Sequence, residues 1–194
     1  MAEEVGSWKT FGTRTVYDNR WVKLDLVEVE APNGERWEHH VVHLDKVAIA
    51  LLVNERDEVL MLHRYRFAID KWGYELLGGI VEEGEDPAAT AKREALEESG
   101  WRPLGEPTHL ASFEPMPGML TAQTDVFMWR GAEHIGEPTD TEEAGRLEWI
   151  PLDQVRELLA NNEILGAGTI IAVQSWLLSR GAGTGREDQA AESS

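Results

Sequence analysis

The run Val47-Ala48-Ile49-Ala50-Leu51-Leu52-Val53 limits the fold more than any other stretch of the chain. Seven apolar residues in succession leave no polar face for water, and they fall far short of the ~20 residues that span a bilayer. With a turn signal at Asn54–Asp57, the stretch from Lys46 to Val53 reads as a strand in a sheet covered on both faces. Val59–Arg66 reads as its return. Further strands are expected near Thr108–Glu114, Thr124–Trp129 and Leu147–Ile150, with helices over Leu152–Ala160 and Thr169–Ser179. Strands interspersed with a few helices predict an α/β class with a helix-covered mixed sheet.

Ahead of this region, Trp21–Glu30 alternates apolar and polar residues, with a phase slip at Leu26-Val27 that reads as a bulge. Asn33-Gly34 is a strong turn signal and Trp37–Leu44 reads as the returning strand, so residues 1–45 form an N-terminal hairpin region. The main domain follows at 46–180. The last stretch, 181–194, is small and polar without periodicity and reads as a disordered tail.

The 194 residues carry 18 Lys and Arg against 36 Asp and Glu, a net charge of −18. That balance opposes a non-specific grip on nucleic acid or on an anionic membrane. A small polyanionic substrate remains compatible when divalent cations stand between it and the protein. The absence of cysteine excludes disulfides, thiolate zinc sites and cysteine nucleophiles. Met1-Ala2-Glu3-Glu4-Val5 has neither the charge nor the apolar run of a signal peptide, and the expectation is a cytoplasmic protein.

The chemistry concentrates in Gly79–Trp101. Asp86 followed by Pro87 is a helix start, and Gly100 is the expected stop after Ser99. On that helix Glu94, Glu97 and Glu98 stand at i, i+3 and i+4, which puts three carboxylates on one face. Like charges so placed repel unless a cation sits among them, and carboxylate oxygens are what hard divalent cations take. Ala88, Ala91 and Ala95 form the opposite side, small enough for close approach to a sheet. Arg93 can steady Glu97 at i, i+4, and Gly78-Gly79 can bring backbone close to the same place. Metal held by glutamates suits diphosphate hydrolysis, with a nearby Glu taking the proton of the attacking water.

The spacing Gly79, five residues, Glu85, seven residues, then Arg93-Glu94-x-x-Glu97-Glu98-x-Gly100 resembles the signature of the Nudix hydrolases. Ala95 stands where a larger aliphatic is usual, and Trp101 fills the closing apolar position. The resemblance implies an α/β/α sandwich around a mixed sheet, and cleavage of a nucleoside diphosphate linked to another moiety. It implies two or three Mg²⁺ or Mn²⁺ ions held by Glu94 and Glu98, with Glu97 and the Gly78 carbonyl as further ligands. Glu85, Gly79, Gly100 and Arg93 then support the site.

Beyond that signature the chain is similar to the ADP-ribose and ADP-sugar pyrophosphatase branch. In that branch an N-terminal hairpin is exchanged between two subunits, which implies a homodimer with a shared nucleotide site. His63-Arg64-Tyr65-Arg66 and Tyr74-Glu75-Leu76-Leu77-Gly78-Gly79 resemble two of its stretches, although Leu77 stands where proline is usual. Arg64, Arg66 and Glu75 are therefore expected at the substrate, as are Pro117 and Gly118. Glu142 and Glu143 lie in a stretch similar to the branch's mobile acidic loop, and either is the expected catalytic carboxylate. Trp21 and Trp37 resemble stacking tryptophans that clasp an adenine, with Glu38 accepting from its amino group. The other six tryptophans are assigned to core or loop packing.

The leading expectation is hydrolysis of ADP-ribose or an ADP-sugar to AMP and a sugar phosphate. A different nucleotide sugar, such as GDP-mannose or UDP-glucose, is the first alternative. A non-catalytic ADP-ribose sensor is the second, although the chain has no spare basic domain for an output.

Overall fold

The computed structural model describes residues 7–139 and 145–184. In chain order the elements are β1 (Lys9–Asp18), β2 (Lys23–Glu30), β3 (Arg36–His43), β4 (Val47–Val53), β5 (Glu58–Arg66), β6 (Lys71–Glu75), β7 (Leu77–Ile80), α1 (Pro87–Ser99), β8 (Trp101–Pro103), β9 (Thr108–Phe113), β10 (Leu120–Thr121), β11 (Thr124–Arg130), β12 (Ala132–His134), β13 (Gly145–Pro151), α2 (Leu152–Ala160) and α3 (Ala167–Thr184). They form two compact units. One takes the chain up to Lys46 together with Glu114–Gln123, and the other takes Val47–Phe113 and the chain from Thr124 on. No helix among the described residues is long and apolar enough to cross a membrane.

The smaller unit is a four-stranded sheet in the order β1-β2-β3-β10, with β10 parallel to β3. The expected hairpin is its centre, paired without interruption from Lys23 opposite His43 to Glu30 opposite Arg36. The bulge expected at Leu26-Val27 is therefore absent. The slip in the pattern comes from Asp25, a carboxylate that takes a buried place on β2. It accepts there from the Thr15 hydroxyl at 2.7 Å and pairs with Lys23 Nζ at 2.9 Å, with His43 Nε2 3.0 Å away. The irregularities lie instead on β1, where Phe11 and Val16 are the extra residues between paired positions.

The larger unit is built on a seven-stranded mixed sheet with β13-β5-β4-β11-β9 as its spine. β4 and β11 are parallel, from Thr124 opposite Val47 to Arg130 opposite Val53. β6 pairs with β5 and β7 with β4, both antiparallel. Strand β4 shows why its sequence carries no polar alternation. Ala48, Ala50 and Leu52 enter one core with Ala91 and Ala95 of α1, while Leu51 and Val53 enter the other with Val155 and Leu158 of α2 and Ala172, Val173 and Trp176 of α3. The result is helix, sheet, helix, as the sequence predicted.

Helix α1 has the predicted bounds. Asp86 caps it by accepting from the Ala89 N–H at 3.1 Å, and Gly100 ends it in the left-handed region at φ 71°, donating to the Leu96 carbonyl at 2.7 Å. Helix α3 runs on to Thr184, into the stretch expected as a tail from Gly181, and the rest of that stretch lies outside the described residues. Gly181 and Gly183 each lower helix propensity by about 1 kcal/mol, too little to stop a helix whose earlier turns are packed. Trp129 and Trp176 are core residues, but Trp8 and Trp72 are each 61% exposed, against the packing role assigned to them. Trp8 stands edge-on to Trp37, and Trp72 stacks on His63.

A Cβ at position 100 would lie 1.9 Å from the Gly136 carbonyl oxygen, and the backbone there favours glycine. Gly100→Ala is expected to destabilise the protein by about 1–3 kcal/mol, read as a lower urea midpoint with an unchanged slope.

Candidate active site

Helix α1 presents its acidic face beside β7. Ala91 and Ala95 are fully buried, and their small side chains let the helix lie close to the sheet. The approach is so close that a Cβ on Gly79 would stand 2.4 Å from the Glu94 carboxyl carbon, and one on Gly78 would meet the Ala48 carbonyl oxygen at 2.4 Å. Glycine at 78 is thus required by space, since backbone stands in the way, whereas at 79 the neighbour is the movable end of Glu94.

Glu98 is the most deeply placed of the three carboxylates, 5% exposed. Its Oε2 accepts from the Gly78 N–H at 2.7 Å, and its Oε1 lies 3.4 Å from Arg64 Nη1. Glu94 and Glu97 share one partner: Arg93 Nη1 donates to Glu94 at 2.7 Å and to Glu97 at 2.9 Å. The other edge of the same guanidinium is bidentate on Glu85, at 3.1 Å to each oxygen. Arg93 therefore serves three of the predicted residues at once. Glu85 drops from its ordinary 4.5 to about 2, first because of the Arg93 hydrogen bonds and then because of Thr90.

Each of the three expected carboxylate ligands is paired with an arginine, and among the described residues no three acidic or histidine side chains converge on one point that could hold an ion. The donor set nonetheless fits a hard divalent cation, since it offers carboxylate oxygens on one helix face and no softer atom.

A cleft of about 190 Å³ opens beside Gly78, lined by Arg64, Arg66, Glu75, Leu165 and Thr169 among others. Arg64 and Arg66 both grip Glu75: Arg64 Nε reaches Oε2 at 2.8 Å and Arg66 Nη2 reaches it at 2.7 Å. The two differ in access. The Arg64 side chain is 6% exposed and that of Arg66 is 40%. Thr169, which sequence reasoning left as a helix start, accepts from the Leu76 N–H at 3.0 Å and so ties the first turn of α3 to the cleft wall. The signal for it was the Gly166-Ala167-Gly168-Thr169 stretch. The departure at Leu77 also has a reason. The residue is fully buried in the α1-side core and opposite Ala50 in the β4–β7 pairing, a place that suits a bulky side chain with an N–H.

The remaining candidates belong to the smaller unit. Trp21 lies in the β1–β2 turn, where Asn19 Oδ1 accepts from the Trp21 and Val22 N–H groups at 2.8 Å each. Trp37 is opposite Val29, at the far end of β2. At ~3.3 Å per residue the two backbone positions of one chain lie roughly 20 Å apart along the hairpin. Both are exposed, and the Arg20 guanidinium covers Trp21 at 4.1 Å. Glu38 is held bidentately by Arg14, at 2.6 and 2.8 Å. Gly118, next to Pro117, accepts from His39 Nε2 at 2.7 Å through its carbonyl. Glu142 and Glu143 lie outside the described residues.

The lowered Glu85 fixes the sign of a pH effect. A carboxylate depressed on folding stabilises above its unfolded value, and that contribution is lost as pH falls through the folded value. The stability gap between the protein and Glu85→Gln is expected to be constant above pH 5, to narrow from about 4.5 downward, and to vanish near 2. Urea midpoints of both proteins from pH 7 to pH 3 test this.

The family model described as NUDIX domain matches residues 42–169. The chain is 42% identical over 166 residues to the CMP-5′-(N-acetyl-N-hydroxy-3-aminopropyl)phosphonate hydrolase of Streptomyces rubellomurinus, covering 86% of this chain and 80% of that one. It is 25% identical over 168 residues to the ADP-ribose pyrophosphatase of Bacillus subtilis, covering 86% and 90%. Among solved structures it is similar to a crystal structure of an ADP compounds hydrolase, with a TM-score of 0.78 at 18% identity over 93% of this chain and 99% of that one. That last likeness is one of fold, and it agrees with the helix–sheet–helix arrangement. With its acidic helix face, its glycine loop and a family match over most of its length, this chain belongs to the Nudix family of hydrolases.

Proposed function

We propose that the chain is a cytoplasmic, divalent-cation-dependent diphosphatase that cleaves ADP-ribose or a related ADP-sugar to AMP and a sugar phosphate. The observation that carries the reading is the set of Glu94, Glu97 and Glu98 on one helix face beside Gly78 and Gly79, next to a cleft that Arg66 enters. Glu94 and Glu98, with Glu97 and the Gly78 carbonyl, would hold Mg²⁺ or Mn²⁺, which when bound screens diphosphate charge and acidifies water. Arg93 holds Glu94 and Glu97 in place through its hydrogen bonds, and Arg66 offers the cleft a guanidinium suited to a phosphate. Glu142 or Glu143 takes a proton from the attacking water as oxygen adds to phosphorus and the bridging P–O bond breaks. One water is consumed and two monophosphates leave.

Trp21 and Trp37 supply the base contact. Because one chain holds them at opposite ends of β2, a two-sided clasp needs Trp21 of one copy and Trp37 of another. This supports the homodimer with an exchanged N-terminal region, in which Glu38 and the Pro117-Gly118 loop flank the base. A second reading has a specific support of its own: the relative at 42% identity is named for a CMP-linked phosphonate. In that reading the same carboxylates cleave a cytidylyl phosphonate and release CMP.

A hydrolysis panel with Mg²⁺ separates the two: ADP-ribose, ADP-glucose, GDP-mannose, UDP-glucose, NADH and a cytidylyl phosphonate, with products resolved by chromatography. AMP released fastest from ADP-ribose is the expected result, and CMP released faster overturns the choice of base. Glu98→Gln is expected to fold and to lose turnover by about 10²-fold or more. Trp21→Ala and Trp37→Ala are each expected to raise KM for ADP-ribose by about 5- to 100-fold, the equivalent of one stacked base, with kcat little changed.

A further inference from the structure

The hydrolysis proposed above gives no task to Arg64. This arginine stands on β5 with its side chain 6% exposed, and its guanidinium bridges two carboxylates. Nε and Nη2 lie 2.8 Å from Glu75 Oε2, and Nη1 lies 3.4 Å from Glu98 Oε1. The Glu98 side chain is itself 2% exposed, and its second oxygen takes the Gly78 N–H. A carboxylate so far from water needs a countercharge, and Arg64 provides one from the opposite side to the backbone donor.

That arrangement has a cost for any cation that would share Glu98. A divalent ion bound there stands a few ångströms from a fixed guanidinium, in a place where water screens little. Glu75 moderates the repulsion by holding Arg64 at the shorter distance, and Arg66 in turn holds Glu75. Signs therefore alternate from Glu98 through Arg64 and Glu75 to Arg66, which is the member open to the cleft. Arg93 does not play the same part. It is 32% exposed, lies on the helix itself, and divides its charge among three glutamates.

We propose that Arg64 is the fixed countercharge of Glu98 and that, by its charge, it limits how tightly that carboxylate takes a divalent cation. The inference rests on the reading of Glu98 as a metal ligand. A residue that merely braced Glu98 would have the opposite signature, because its removal would let the carboxylate wander and weaken cation binding.

The test is Mn²⁺ titration of the full chain without substrate at pH 8, with free Mn²⁺ followed by electron paramagnetic resonance and melting temperature read in parallel. Wild type is expected to bind Mn²⁺ and Glu98→Gln to bind it far more weakly; if those two bind alike, the metal-ligand reading fails. Given that difference, Arg64→Gln is expected to bind Mn²⁺ about tenfold tighter than wild type. It should melt lower without cation and gain more from Mn²⁺. Arg64→Lys, which restores the charge, should return the affinity to within about twofold of wild type. Unchanged or weaker binding by Arg64→Gln overturns the proposal while leaving the metal site intact. Should Arg64→Gln be unfolded without cation, refolding by Mn²⁺ supports the proposal and failure to refold overturns it.

Discussion

The candidate site depends on how closely α1 can lie against the sheet. Ala91 and Ala95 on the helix share one core with Ala48 and Ala50 on β4, and these small side chains suit a close approach. That closeness brings Glu94 against Gly79 and Glu98 against the Gly78 N–H. It also explains why the alanine at position 95, smaller than the usual aliphatic, is compatible with an intact site. Leu77 and Leu60 fill the volume around it, so the core is closed although the helix contributes little bulk.

Electrostatics is the second constraint. A chain with a net charge of −18 gathers several carboxylates within one helix and its flanks, and three arginines are set among them. Two of the three lie off the helix, on β5, and the register of that strand with β6 places Arg64 and Arg66 on the same side as Glu75. Guanidinium groups suit this task because their forked donors bridge two carboxylates at fixed geometry, which a lysine does not do. The acidic site is thus partly neutralised by the protein itself.

Much of this was legible in the sequence. The bounds of α1 followed from Asp86-Pro87 and Gly100, and the shared face of Glu94, Glu97 and Glu98 followed from their spacing alone. The double coverage of the sheet followed from the unbroken apolar run of β4. What escaped depends on pairing between distant strands. Asp25 read as a break in alternation because its three partners come from β1, β2 and β3, and no local pattern announces them. The hairpin that holds Trp21 and Trp37 was legible, but its register, which puts Trp21 before β2 and Trp37 opposite Val29 at the other end, was not. The burial of Arg64 was hidden for a similar reason, since it lies in the polar run His63–Arg66 and its partners Glu75 and Glu98 come from β6 and α1.

Strand β1 carries a consequence of its own. It is a ten-residue edge, exposed from Lys9 to Asp18, with backbone groups on its outer side that another strand could extend. Long exposed edges of this kind recruit further strands and seed polymers. Here the bulges at Phe11 and Val16 cut the edge into short pieces of differing twist, so no incoming strand finds a continuous ladder. The irregularities therefore interrupt the edge where it is longest, in an open sheet of four strands whose outer members are β1 and β10.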